Sequence, residues 1–595
     1  MSFNARVGGL FDRMSAMLEL TGGDRFRVNA HAKAARVIKD HTGDLEPIAG
    51  DAKALIAIEG IGKGTAAKIA EFAETGTIRE HDELAQKVPE GVIRMLDVQG
   101  LGPKTVKLLW DEKGVDSIEA LKGVIVDGSI LELPRMGAKT VENITESIAF
   151  LESSGQRLPI GVAMPIAEAL AERMSGVPGV TRCAFAGSLR RGKESIGDID
   201  ILVVTDDPEA ARESFCTHDS VLKVLARGES KCSVRLSLEG LGGRFKPGAN
   251  AAVQADMRLV PGPSWGAALM YFTGSKEHNV RLRERALAKG MTLNEYGLFP
   301  EDKGDPTPPQ QRGVAPVAGE TEESIYAALG LAFVPPPLRE DRGELSLDKE
   351  RAFVVLGDIR AELHSHTTAS DGDMSIEESA GIAKSRGFHT LAVTDHSQSS
   401  AIANGLKPDR LRAHIGAIRE ANERVEGITI LAGSEVDILV DGSLDYDDEL
   451  LAALDVVVAS PHAGLKAKPP QATKRLLKAI RHPLVHIIGH PTGRLIERRA
   501  GLDPAMDELI AAAVECDVAL EINAHWMRLD LRDTHVRAAV DAGCKIAIDC
   551  DVHAPGDYDN LRYGVLTAQR GWLSPELCIN TWDVERLHAW LASKR

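Results

Sequence analysis

Two aspartates, Asp198 and Asp200, close the stretch Gly187-Ser188-Leu189-Arg190-Arg191-Gly192-Lys193-Glu194-Ser195-Ile196-Gly197-Asp198-Ile199-Asp200. On a β-strand they share one face, while Ile199, Ile201 and Val203 turn into a core. Carboxylates crowded in this way repel each other unless a cation lies between them. Ligation by oxygen alone suits magnesium or manganese. Upstream, the amides of a Gly-Ser turn, the Ser188 hydroxyl and a forked guanidinium complement phosphate oxygens. A third carboxylate stands in Val253-Gln254-Ala255-Asp256-Met257-Arg258-Leu259, where alternation puts Gln254, Asp256 and Arg258 on one face. Beside the first strand, Asp256 would complete a three-carboxylate cluster for two metals, an arrangement suited to nucleotidyl transfer. The bland alternative is a surface strand with solvated aspartates. The Gly-Ser turn and the Arg-Arg-Gly in front of it weigh against that.

A second constellation occupies the C-terminal half. Short β-branched runs there end in chemistry: residues 361–363 in His364-Ser365-His366 with Asp371 just after, and 391–394 in Asp395-His396. Residues 430–434 end in Glu435, 456–459 in Ser460-Pro461-His462, 486–489 in His490, and 546–550 in Asp551-Val552-His553. The run 519–523 ends without an obvious ligand. Seven strand-helix units, six of them ligand-bearing at the C-terminal strand end, predict a β/α barrel with its site at that end. One such histidine is more often structural; the recurrence argues for a metal centre. Mixed imidazole and carboxylate suit zinc, manganese or iron better than magnesium alone.

The elements before these sites repeat. Leu10, Phe11, Met14, Met17 and Leu18 have helical spacing. Then comes Ile58-Glu59-Gly60-Ile61-Gly62-Lys63-Gly64-Thr65-Ala66-Ala67-Lys68, a near-copy at Val98-Gln99-Gly100-Leu101-Gly102-Pro103-Lys104-Thr105, and a degenerate third at Leu133-Pro134-Arg135-Met136-Gly137-Ala138-Lys139. The glycines let backbone amides approach a ligand, and the helix N-terminus that follows favours an anion. These copies resemble the helix-hairpin-helix motif, which grips DNA phosphates without reading sequence. Gly60, Gly62, Lys63, Lys68, Gly100, Gly102 and Lys104 are the candidate DNA contacts.

Length and composition set the frame. The 595 residues allow roughly four domains, and 44% hydrophobic with 26% charged residues is a globular balance. No apolar run approaches the ~18–20 residues of a membrane span, and the N-terminus has no export leader. Seven cysteines without a CxxC fit a reducing cytoplasm. A net charge of −17 weighs against a nucleic-acid partner, although a local basic groove can coexist with it.

Tyr271-Phe272-Thr273-Gly274-Ser275, then Asn279, Arg281 and Arg283, then Asn294-Glu295-Tyr296-Gly297, make a likeness specific. With the hairpins and the aspartates in this order, residues 1 to about 335 resemble a family X DNA polymerase, the group of DNA polymerase beta. The resemblance implies an α-helical hairpin region, an α+β nucleotidyltransferase palm and a thumb. It implies that Asp198, Asp200 and Asp256 are catalytic and bind two magnesium ions, with Asp256 nearest the attacking hydroxyl. Gly187, Ser188, Arg191 and Gly197 would hold the triphosphate. Tyr271, Phe272 and Gly274 would line the sugar side, and Asn279 and Arg283 would face the nascent base pair and template. Gln254 departs from the arginine that DNA polymerase beta places beside its third aspartate, which leaves the tuning of Asp256 open. At the position of Lys68, the X-family polymerases of animals carry a lysine that opens abasic sugars through a Schiff base; simple phosphate contact is the other reading.

The C-terminal half resembles the polymerase-and-histidinol-phosphatase (PHP) domain, a distorted seven-unit barrel holding three metals for phosphoester hydrolysis. All nine ligand positions are filled, with Pro461 a small departure. The resemblance implies His364, His366, Glu435 and Asp551 around a first metal, and Glu435 bridging to a second with His462 and His490. Asp371, His396 and His553 would hold the third. Manganese or zinc is the expected ion. The expected domains are an N-terminal helical domain at 1–90, a fingers-like domain at 91–150, the palm at 151–264, the thumb at 265–335, a linker at 336–357 and the PHP domain at 358–595. This order resembles the bacterial X-family DNA polymerases along the whole chain. It implies a monomeric cytoplasmic repair enzyme that fills short gaps in gapped or primed duplex DNA from dNTPs. A 3′-5′ exonuclease would reside in the PHP half, with incision at abasic sites open as a second activity. The rivals are a PHP nuclease carried on a silent DNA-binding palm, and a small-molecule phosphatase.

Overall fold

Apolar side chains at helical spacing make the N-terminal part of the chain helical. In the computed structural model the described residues are 3–41, 45–58, 60–98, 101–134, 136–137, 140–141, 144–145, 148, 157–238, 252–302, 307–347 and 351–594. They form a helical unit up to residue 156 and a larger unit from Arg157 onward. In the first unit, helices Phe3–Leu20 and Arg25–Asp40 bury Phe11, Met14, Met17 and Leu18 against Ala34, Ala35 and Ile38. Asp24 caps the second helix by accepting from the Phe26 amide.

The three hairpins share one backbone pattern. The amides of Ile61, Leu101 and Met136 donate to the carbonyls of Ile58, Val98 and Leu133 at 3.0, 3.0 and 3.1 Å. Those of Ala66, Val106 and Val141 donate to Gly62, Gly102 and Gly137 at 2.9, 3.0 and 3.1 Å. Ile61 and Leu101, between their paired glycines, and Met136, before Gly137, are all buried, so a core contact fixes each turn. Helices Lys63–Thr75 and Pro103–Lys113 begin at Gly62 and Gly102, neither of which offers a capping side chain. Their first-turn amides, Pro103 having none, are therefore open to an outside acceptor. Gly100 and the side chain of Lys104 lie outside the described residues.

The second unit opens on a five-stranded sheet. Its order is Val180–Phe185, Asp198–Thr205, Ala252–Leu259, Lys231–Ser237, Val221–Arg227. The strands Asp198–Thr205 and Ala252–Leu259 pair in parallel, and the register sets Asp200 directly opposite Asp256. Helix Trp265–Thr273 then packs Ala268 and Leu269 against Ala186 and Leu202 of this layer. Helix Lys276–Ala288 and the hairpin Met291–Asn294/Gly297–Pro300 surround a core of Leu282, Leu298, Ile325 and Tyr326.

Seven parallel strands follow, paired in chain order: Ala361–Ser365, Thr390–Val393, Thr429–Asp437, Val456–Ser460, Ile487–Ile488, Ala519–Asn523 and Ile546–Asp549. A bridge from Ser365 to Val552 brings the last unit back to the first, which makes the barrel nearly closed. Helix Val584–Ala592 seats Leu587, Trp590 and Leu591 among the N-terminal strand residues Ala361, Val456, Ile487 and Ala519. That plugs the end opposite the predicted site. Among the described residues no helix is long and apolar enough to cross a membrane.

The stretch 336–357, expected as a linker, is in part packed into the core of this unit. Arg339 is fully buried, bonded to Glu322 and the Val334 carbonyl, with its guanidinium 5.4 Å from the Tyr326 ring centroid. Glu344 is buried on His278 at 2.5 Å. Three successive prolines hid this by reading as a spacer, whereas they make a short 3₁₀ turn that aims Arg339 inward. Replacing Arg339 by Ala leaves Glu322 with Arg190 as its remaining arginine partner. A loss of about 1.5–3 kcal/mol is expected, the worth of a buried hydrogen bond to a charged group, seen as an earlier calorimetric transition; an unchanged transition would contradict the packing argument.

Candidate active sites

The first site is the aspartate trio. Ligand oxygens of Asp198, Asp200 and Asp256 lie within 4.8 Å of one another. Parallel register brings Asp200 and Asp256 together, and Asp198 stands exposed at the start of its strand. Burial, then the charges of Asp198 and Asp256, push the Asp200 carboxyl up to about 7. Burial and Asp256 raise Asp198 as well. Such carboxylates fit divalent cations, because a cation removes the repulsion that the backbone imposes. Gly187 has φ +66, and a Cβ there would come within 2.5 Å of Asp200 Oδ2. Only glycine lets the turn approach this close.

Around the trio the expected nucleotide residues take different stations. Ser188 is half-buried and Gly197 exposed. Arg191 donates from Nε to Glu340 at 3.0 Å and from a terminal nitrogen to the Thr273 carbonyl at 2.8 Å. Arg190 forms a bidentate pair with Glu322, both bonds at 2.8 Å. Tyr271 and Phe272 stand edge to face at 5.1 Å, with the Arg258 guanidinium 4.4 Å from the Phe272 ring centroid. The Asn279 amide donates to the Tyr271 carbonyl at 2.7 Å, and Gly274 packs against its Oδ1. Arg283 is exposed.

The second site crowns the barrel. Four overlapping clusters have ligand atoms mutually within 4.8 Å: His366, Asp371, His396 and His553; His364, His490 and Asp551; His364, His366 and Glu435; His396, Glu435 and His462. All nine predicted residues thus converge. His364 Nε2, both ring nitrogens of His366, His396 Nδ1, His490 Nδ1, Glu435 Oε2 and Asp551 Oδ1 are buried without a hydrogen-bond partner. Buried lone pairs are costly unless something accepts them, and several aimed at one place fit metal ions. His490 and Asp551 sit at φ +26 and +52, conformations that side chains rarely adopt and that functional sites retain.

The strand that seemed empty supplies support. Glu521 holds His364 Nδ1 at 2.6 Å through one oxygen and the His490 amide at 2.5 Å through the other. Asn523 donates to Asp551 Oδ2 at 3.1 Å, and Asp437 holds His462 Nδ1 at 2.5 Å. Carboxylates behind imidazoles fix the tautomer and aim the other nitrogen inward. Although burial opposes it, Glu435 and Asp437 bring His462 up to about 10. The signal was present in Ala519-Leu520-Glu521-Ile522-Asn523, where Glu521 and Asn523 alternate with apolar residues on a fully buried strand.

In the helical unit, Lys68 Nζ lies 3.0 Å from Glu80 Oε2, and Arg27 and His31 reach Glu80 Oε1 at 2.6 and 3.1 Å. Burial works against it, but bonds from Lys68, His31 and Arg27 bring Glu80 down to about 2. Lys63 and Gly62 sit at the open N-terminus of the same helix as Lys68.

Comparison with known proteins assigns these parts. Family models match a helix-hairpin-helix domain at 2–78, a SAM-like helix-hairpin-helix tandem at 92–149, the DNA polymerase beta palm at 157–239, its thumb at 268–340 and a PHP domain at 362–525. The DNA polymerase lambda of Rattus norvegicus is 27% identical over 336 residues, 53% of each chain. A probable phosphatase of Thermoanaerobacter sp. (strain X514) is 28% identical over 246 residues, which is 39% of this chain and 95% of the relative. The DNA polymerase/3′-5′ exonuclease PolX of Bacillus subtilis (strain 168) is 35% identical over 584 residues, 98% of both chains. With two separate metal-type centres in matching order, the chain belongs to the PolX family of DNA polymerases with a PHP domain.

Proposed function

We propose that the chain is a DNA-directed DNA polymerase that also degrades DNA 3′ ends, with one activity in each centre. The observation that carries this reading is the pair of clusters, oxygen-only in the sheet and imidazole-rich in the barrel, with no residue in common. At the sheet, Asp198, Asp200 and Asp256 would hold two magnesium ions that supply charge stabilisation for an in-line attack on the nucleoside triphosphate. Asp256 orients the primer hydroxyl side. Ser188 and the amides of the Gly187 turn bind triphosphate oxygens. Arg191 joins them by exchanging Glu340 for phosphate, and Arg570, 2.8 Å from Glu340 Oε1, keeps that carboxylate paired. Tyr271 and Phe272 wall the sugar, with Gly274 between them and Asn279. Arg283 faces the template.

At the barrel, His364, His366, Asp371, His396, Glu435, His462, His490, Asp551 and His553 would hold up to three manganese or zinc ions, which supply an ionised water and neutralise phosphodiester charge. Glu435 stands at the centre, since its oxygens lie within 3.7 Å of ring nitrogens of His364, His366, His396, His462 and His490. Glu521 and Asp437 hold two of the rings in place. The substrates are gapped or primed duplex DNA and dNTPs, and short-gap filling in repair is the role that trimming and extension together serve. Incision at abasic sites would use the same barrel. The hairpins hold phosphates through helix N-terminal amides, and Lys68 is read as a phosphate contact. Its nitrogen is held by Glu80 at 3.0 Å, whereas a Schiff base needs that nitrogen free to attack.

Asp198→Ala, Asp200→Ala or Asp256→Ala should abolish extension of a labelled primer on gapped DNA and leave trimming without dNTPs intact. His364→Ala or Glu435→Ala should do the reverse, and Glu435→Ala should lose the more bound metal by atomic emission. If folded barrel variants lose both activities, the halves share one centre and the reading fails.

A second experiment addresses the hairpins. A Cβ at Gly62 or Gly102 meets nothing within 4 Å, whereas at Gly60 it would strike Val37 with φ at +95. Gly62→Val and Gly102→Val should therefore fold normally and weaken binding to every DNA sequence by a similar factor. Gly60→Val should also lower thermal stability. Sequence-selective weakening would contradict a phosphate grip.

A further inference from the structure

Gln254 lies two residues before Asp256 on the same strand, where it brings no charge to the carboxylate beside it. Its amide nitrogen donates to Asp256 Oδ1 at 3.0 Å. The other oxygen, Oδ2, takes the ammonium of Lys231 at 2.6 Å. Lys231 begins the strand Lys231–Ser237, the neighbour of Ala252–Leu259 in the sheet. The Leu259 amide donates to the Ser230 carbonyl at 2.9 Å, which pins the start of that strand beside its partner.

From these contacts we infer that Lys231 is the positioning residue for Asp256, holding its carboxylate at a fixed angle to the primer-hydroxyl side of the nucleotidyl-transfer centre. An ammonium and an amide on opposite oxygens leave the carboxylate little freedom to rotate. Each oxygen keeps lone-pair capacity beyond that contact, and Asp200 stands opposite across the parallel register. The positive charge also offsets one of three negative charges, so the trio stays assembled before nucleotide arrives. The Lys231 side chain is 36% exposed, in contrast to 7% for Asp256.

The inference rests on the reading of the trio as the polymerase centre, and the test separates the two. Single-turnover addition of one nucleotide is measured on gapped DNA at saturating DNA and magnesium, alongside DNA affinity and the half-saturating dNTP. Lys231→Ala should slow addition by about 10–100-fold, the usual cost of losing a partner behind a ligand, with both affinities little changed. Lys231→Arg should recover most of the rate. Gln254→Arg in the Lys231→Ala background should recover part of it, because position 254 already reaches the same carboxylate. A merely structural lysine would not be rescued from the neighbouring strand. Primer trimming without dNTPs in the same samples reports an intact chain. If Lys231→Ala loses that too, Lys231→Met, which keeps the stem, carries the comparison. An undiminished rate overturns the inference. So does a loss confined to DNA affinity, which would make Lys231 a phosphate contact. Extension by an Asp256→Ala control would instead overturn the reading of the trio itself.

Discussion

Charged and polar groups crowded together by backbone geometry set the terms for residues 157–594. In the sheet, parallel pairing puts Asp200 against Asp256 and the strand start puts Asp198 beside them. Burial adds to the repulsion, and the Asp200 carboxyl rises to about 7. In the barrel, strand ends crowd imidazoles and carboxylates whose lone pairs find no hydrogen bond. Neither arrangement would persist on its own interactions. Each is over-determined by what surrounds it: register and a glycine turn in one case, seven parallel strands and a layer of supporting carboxylates in the other. The fold carries the strain, and cation binding returns part of it as stability.

The two centres solve this in different ways, and the difference matches their chemistry. The sheet site offers three carboxylates, one of them exposed, so ions there have few protein ligands and room for substrate oxygens. The barrel offers nine candidate ligands, four of them, His364, His366, Glu435 and His490, under 2% exposed. Desolvation and imidazole both favour harder-held transition ions. Glu521 and Asp437 then tie the rings that coordinate, which leaves the geometry little freedom.

Much of this was legible in the sequence. Alternation put Asp198 and Asp200 on one face of a strand, and the glycine hairpins, two close copies and a degenerate third, announced turns whose backbone hydrogen bonds match. The barrel was legible because ligands recurred at strand ends, a pattern that period and position together make unmistakable. What stayed hidden depends on contacts between distant residues. Glu521 sits on a strand whose end looked empty, because support acts from within the strand. Lys231 is an ordinary lysine until the sheet order sets it beside Asp256. Arg339 follows three prolines that read as a spacer, yet its guanidinium is inside the core. Arg191 was assigned to phosphate by its motif, and only the fold brings Glu340 to it. Composition and period carry no information on such pairs; the tertiary contact decides them.

The loop that carries Arg191 also joins the sheet to the barrel. Arg570 donates to the Arg191 carbonyl at 2.9 Å, to Glu340 at 2.8 Å and to Asp533 at 2.7 Å, and Arg342 completes Asp533 at 3.0 Å. Burial would raise Glu340, but Arg570, Lys193 and Arg191 hold it well below the usual carboxylate range. Farther along the loop, Glu194 pairs with Arg494 at 2.6 Å, four residues beyond His490 of the metal-type cluster. Removing one partner from a buried charge pair costs about 3–5 kcal/mol, so peeling this loop from the barrel would break several such pairs at once. Arg191 is the exception, because Glu340 keeps Arg570 when Arg191 leaves. On the proposed reading, this arginine would turn to a triphosphate while the interface stays closed. The two centres would then keep a fixed separation through nucleotide binding, and a primer end would reach the second centre by moving between them.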